Sequence, residues 1–167
     1  MGNCASSGQV VPARAVCDAT ESSYIVKAVS KHVFLGGACD PTTWRKDFIP
    51  LLELRGLTYY NPQGDWHEGL MKIEMEQKET CQVLYFEIGP DTSAMASCVE
   101  AAYFIALGRV VVLSMRPYPE TLATLATSRD INRMRKYLRE VAEKHCVRIF
   151  DEPGKAVADH ITSLIFF

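Results

Sequence analysis

The chain has 167 residues, 48% of them hydrophobic, with a formal net charge of -2 and six cysteines. That is enough for one domain with a real core, and the intermixed charges form no basic footprint that would select nucleic acid as a partner. No apolar run approaches the roughly 18 residues a membrane span needs, no signal-peptide segment follows Met1, and the cysteines lack the CxxC or Cys/His spacing that holds a metal.

The chain opens Met1-Gly2-Asn3-Cys4-Ala5-Ser6-Ser7. A glycine exposed after Met1 is removed, small residues behind it and Ser at the sixth position fit N-myristoylation at Gly2. One myristoyl chain holds a membrane only marginally, and the first 30 residues carry few cations to help, so Cys4 is the expected palmitoylation site. The expectation is a lipid-anchored protein on the cytosolic face of a eukaryotic membrane, the plasma membrane first. Residues 1–30 are small, polar and aperiodic and read as a flexible tether, with one domain over 31–167. In that compartment the six cysteines read as thiols, mostly buried.

Short apolar runs then alternate with helical patterns, the signature of a parallel sheet covered by helices. Val33 to Leu35 is a strand ending in Gly36-Gly37. A helix follows Asp40-Pro41-Thr42 and stops at Gly56, with Pro50 kinking it or marking a late start. Leu57 to Tyr60 is a second strand, and a charged helix covers Gly69 to Glu79. Gln82 to Ile88 is a third strand, Ser93 to Leu107 a helix, and Val110 to Met115 a buried central strand. A helix with Ile131, Met134, Leu138 and Val141 on one face leads to a strand at Val147 to Phe150, and Ala156 to Phe166 closes the chain as a helix. The pattern predicts an α/β, flavodoxin-like sheet of about five parallel strands with helices on both faces.

In such a sheet ligands bind beyond the carboxyl ends of the strands. That rule selects Gly36 to Asp40, Asn61 to Trp66 and Gly89 to Ser97. Gly36 and Gly37 let backbone approach a sugar or phosphate, although a Gly-Gly pair also serves an unliganded turn. Trp66 offers a face for a nucleobase or for packing. Ser93 and Ser97 offer hydroxyls to a sugar or phosphate, or caps to a helix. Glu100 is the only charged side chain between Asp91 and Arg109, in a helix that reads as mostly buried. It is either a carboxylate with a task or the mark of a narrow solvent stripe.

Val33-Phe34-Leu35-Gly36-Gly37, Tyr60-Asn61-Pro62-Gln63, Trp66 and the run Ser97-Cys98-Val99-Glu100-Ala101-Ala102-Tyr103, with Ala106 to Val112 after it, resemble the nucleoside 2-deoxyribosyltransferase family over roughly Lys31 to Met115. The resemblance implies a flavodoxin-like fold, a homodimer or larger assembly, and a nucleoside or nucleotide as small-molecule partner; the residues themselves call for no cofactor or metal. It makes Glu100 the nucleophile on C1′, giving a glycosyl-enzyme ester that a second base or water resolves. The acid that many members carry six positions earlier is Ala94 here. Asp91, Asp65 and Glu74 are the candidates to protonate the departing base, Glu74 lying near where the family places a further acid, although charges on that helix also suit a solvated face. Two alternatives stand beside this reading: a membrane-tethered nucleotide-binding module without turnover, and an N-glycohydrolase acting on a nicotinamide dinucleotide.

Overall fold

In a computed structural model the described residues are 29–64 and 68–167. The expectations for Gly2, Cys4, Asp65 and Trp66 fall outside them. Five strands, β1 (Val33–Gly37), β2 (Tyr59–Tyr60), β3 (Val83–Ile88), β4 (Val111–Met115) and β5 (Ile149–Phe150), form one sheet in the order β2-β1-β3-β4-β5. Every pairing is parallel. The helices are α1 (Trp44–Glu53), α2 (Leu70–Thr80), α3 (Met95–Ala106), α4 (Leu125–Lys144) and α5 (Lys155–Phe166).

All six residues of β3 are buried, as expected of a strand covered on both faces, where apolar runs are continuous rather than alternating. Alternation still decides which face each side chain serves. Phe34, Leu84, Phe86 and Leu113 pack with Ala101, Phe104 and Leu138 of α3 and α4. Val33, Leu35, Val83 and Tyr85 pack on the other side with Trp44, Phe48 and Leu52 of α1 and Val157 and Ile161 of α5. The doubly wound, flavodoxin-like architecture is therefore the one the sequence pattern calls for.

Several boundaries move. β2 and β5 are the edge strands and each keeps two residues of the expected four, while β4 lies inside the sheet but β3, not β4, is its centre. Helix α1 continues through Pro50 and ends at Glu53; Gly56, at φ 67°, turns the chain out. Helix α3 starts at Met95 instead of Ser93, because Ala94 is left-handed at φ 50° and supplies no side-chain cap. Ser93 therefore lies before the helix and Ser97 inside it, and neither is its N-cap. Of the described cysteines only Cys81 and Cys98 are buried; Cys39 is half-buried and Cys146 exposed. The strand order reverses between β1 and β3, so the crevice the architecture offers a ligand opens at their carboxyl ends.

Candidate functional site

Arginines from the helices behind them hold the loops at that end. Arg45 of α1, 1% exposed, donates to the carbonyls of Leu35 at 2.9 Å, Gly37 at 3.0 Å and Ala38 at 2.8 Å. Burial lowers its pKa, yet a guanidinium stays charged, and its fork of donors suits converging carbonyls. Arg135 of α4 does the same for the loops after β3 and β4, donating to the carbonyls of Gly89 at 2.9 Å and Thr92 at 2.7 Å and to that of Arg116. Asn61 accepts from the Gln63 backbone N–H at 3.1 Å, an Asx-type turn, and the Gln63 amide donates to the Cys39 carbonyl at 2.8 Å. The first two loops are thus tied together around a cavity of about 320 Å³ lined by Cys39, Asp40, Pro62, Gln63, Leu70 and Glu74.

Gly36 and Gly37 have a packing reason to be glycine. A Cβ built on Gly36 would lie 2.6 Å from Cε1 and 3.0 Å from Cγ of Phe86, and one on Gly37, at φ 121°, would meet the Glu87 carbonyl at 2.6 Å. The missing side chains let β1 seat against β3 at the switch point.

Beside the cavity lies a cluster of charge. Lys78 of α2 places Nζ 2.6 Å from the Glu100 carboxylate of α3 and 3.6 Å from Glu74, one turn earlier on its own helix. The Lys78 side chain is 4% exposed, Glu74 25% and Glu100 37%. A lysine so buried requires an anionic partner, and here it has two. Its ammonium also stands 5.2 Å from the centre of the Phe34 ring, which stacks on Tyr60 with centroids 5.7 Å apart and planes at 14°. Burial, and then the Glu74 charge, raise the Tyr60 pKa. Glu74 belongs to both the cavity wall and the cluster, so the two adjoin. Glu100 is neither buried alone nor simply solvated. Helix α3 departs from the expectation of a mostly buried helix, for Met95, Val99 and Tyr103, and Leu107 just past its end, are each more than half exposed in the single chain.

A comparison with protein families matches residues 30–118, more than half of the chain, to the nucleoside 2-deoxyribosyltransferase-like family. The chain belongs to that family. The match takes in β1 to β4, both glycines, Lys78 and Glu100, and family membership points to a nucleoside as the small-molecule substrate and to glycosyl transfer as the type of activity. Among curated proteins none matches.

The other expected residues of this family member scatter. Asp91 is exposed and lines a separate cavity of about 290 Å³ with Thr43, Trp44, Asp47, Arg116 and Gly154. Ser93 is half-buried with its carbonyl 3.5 Å from the Arg135 guanidinium, and Ser97 is buried within α3.

Lys78, Arg45, Arg135 and Glu87 are the residues that sequence reading passed over. Glu87, 3% exposed at the end of β3, lies 3.4 Å from Arg116, and burial raises its pKa against the pull of that guanidinium. A Cβ on residue 89 would sit 2.5 Å from the Glu87 carboxylate, so the backbone at Gly89 passes close to that side chain's end. A Glu inside the apolar run Val83 to Ile88 was the available signal for it. For Lys78 the signal was its i,i+4 spacing from Glu74, which reads equally as a surface pair.

Proposed function

We propose that the protein cleaves or exchanges the N-glycosidic bond of a (deoxy)nucleoside or nucleotide, with Glu100 as nucleophile. The observation that carries the reading is the Glu100 carboxylate at the meeting of α2 and α3, ion-paired, part-exposed and joined through Glu74 to a cavity at the sheet's switch point. A carboxylate there attacks C1′ as the base departs and stabilises the positive charge that develops on the sugar. A glycosyl ester forms and is resolved by water or a second base. Gly36, Gly37, Asn61, Trp66, Glu74, Ser93 and Ser97 are the residues assigned to substrate, and Asp65 and Asp91 remain candidate acids. The exposed row Met95, Val99 and Tyr103 on α3, with Leu107 just past its end, suits a second copy of the chain, which supports a homodimer or larger assembly.

The test is release of free base from a panel of nucleosides, deoxynucleoside monophosphates and NAD. Wild type releases base, and Glu100→Ala lowers the rate at least about 100-fold; equal release by the variant removes the assignment. A second reading, a nucleotide-binding module without turnover, draws on Ala94 at the position where many relatives carry an acid. It wins if nothing is released while a nucleotide raises the melting temperature. We also propose acylation of Gly2 and Cys4 as a tether to the cytosolic face of a cellular membrane; a Gly2→Ala protein that stays fully with membranes in fractionated eukaryotic cells refutes it.

A further inference from the structure

We infer that the outer face of α4 docks on a bilayer carrying anionic headgroups and supplies the second hold that an acyl chain at Gly2 needs; the choice of a bilayer rests on the proposed acylation. The chain as a whole carries a net charge of -2, yet from Thr121 to Arg139 it holds Arg129, Arg133, Arg135, Lys136 and Arg139 against one acid, Asp130. The helix sorts these cations by its period. Arg135 turns inward with Ile131, Leu138 and Ala142, and its guanidinium is occupied by loop carbonyls. Arg129, Arg133, Lys136 and Arg139 are exposed. Leu125, Arg129, Arg133 and Lys136 follow one another at i, i+4, i+8 and i+11 and so share one outward face. Asp130 lies 3.4 Å from Arg133 in a solvent-exposed pair, which holds its cation only weakly.

Leu122, 55% exposed just before the helix, and Leu125, 46% exposed at its start, put apolar side chains beside that charge. Cations flanked by exposed leucines suit a headgroup interface, where phosphates meet the charged tips and apolar side chains reach the acyl boundary. The face lies away from α3, because Met134, Tyr137 and Val141 line the groove toward Val99 and Ala102. A second copy seated on α3 therefore leaves it open. One myristoyl chain holds a bilayer marginally, whereas one chain with a cationic patch holds it stably. The residues before β1 are too poor in cations to be that patch. They are long enough, at up to about 3.4 Å per residue, for an acyl chain at Gly2 and the face of α4 to reach the same bilayer.

The experiment measures partition of the full chain, with and without enzymatic myristoylation of Gly2, onto vesicles of phosphatidylcholine alone and with about one third phosphatidylserine. Each cation at an anionic surface is worth roughly fivefold in partition. Wild type should therefore prefer the anionic vesicles by at least about 20-fold in about 0.1 M salt and by under about 3-fold in about 0.5 M. Arg129→Gln, Arg133→Gln and Lys136→Gln together reduce the preference to under about 3-fold in low salt with the melting temperature unchanged. Lys31→Gln, Lys46→Gln and Lys155→Gln together remove the same charge from exposed positions elsewhere and keep at least about 10-fold. A wild type without preference, an α4 variant that retains it, or an equal loss in the second variant overturns the inference. So does poly-glutamate that displaces wild type from the vesicles at equal charge, since it assigns the face to an acidic protein. A chain that takes no myristate but keeps the preference refutes the acylation and upholds the face.

Discussion

Replacing Gly36 with Ala separates packing from ligand binding at the switch point. The new Cβ would lie 2.6 Å from Cε1 and 3.0 Å from Cγ of Phe86, where carbon atoms rest at roughly 3.5–4.0 Å. One side must therefore yield by about 1 Å. The strand cannot easily do so, being paired to β2 on one side and to β3 on the other, with Gly36 opposite Phe86 itself. The ring is fully buried and lies 6.4 Å from the Phe34 ring. Overpacking of this kind costs about 1–3 kcal/mol, which for a chain of this size lowers the melting temperature by roughly 3–10 °C. The assay is urea and thermal unfolding of Gly36→Ala, Phe86→Ala and the double variant. Phe86→Ala deletes every ring atom in conflict, so in that background the extra methyl costs at most about 0.5 kcal/mol and the cycle returns a coupling of about 1–2 kcal/mol. A Gly36→Ala protein that melts with wild type refutes the packing account. If that stable protein has also lost base release, the glycine is there for the substrate.

Glu87 predicts a pH dependence. Its pKa in the folded chain is raised by burial, so the native state holds a proton that the unfolded chain gives up near pH 4.3, the ordinary value for Glu. Its contribution to stability is present below that pH and is lost as pH rises through the folded value. Glu87→Gln should gain on wild type as pH is raised from about 4 to 7 in urea unfolding; parallel profiles refute the assignment. At Ala94, held left-handed at φ 50° ahead of α3, Gly relieves about 1–2 kcal/mol of backbone strain but loses a buried methyl worth about 0.8 kcal/mol and frees the unfolded chain, so Ala94→Gly should stay within about 1 kcal/mol of wild type. A loss above about 2 kcal/mol in urea unfolding contradicts that.

The fold was legible because each element obeyed its own period. Val33 to Leu35, Val83 to Ile88 and Val111 to Met115 are buried on both faces and so appear as apolar runs without polar alternation, broken only by Glu87 and Ser114, and Gly56 and Gly108 stand at positive φ just past their helices. Boundaries failed where tertiary geometry outweighed local signals. Nothing in Ser93-Ala94-Met95 announces a left-handed alanine, and edge strands shorten because β2 and β5 each pair on one side only. In the site, Glu100 was visible through its isolation among apolar neighbours. Its partner was not, because Lys78 lies on another helix 22 positions away and its four-residue spacing from Glu74 is that of many solvent-exposed pairs. The exposure of Val99 and Tyr103 is equally unreadable from composition, which gives the same apolar sequence to a buried helix and to one with a face open to solvent.

Arg45 and Arg135 grip main-chain oxygens, not side chains. The shape of the 37–38 and 89–92 turns is thereby set by two cations anchored in α1 and α4, whatever side chains those turns display. The protein can accordingly change the side chains its turns display without loosening the frame that holds them. Single substitutions in the turns leave that frame in place, while a change at either arginine deforms a whole turn at once.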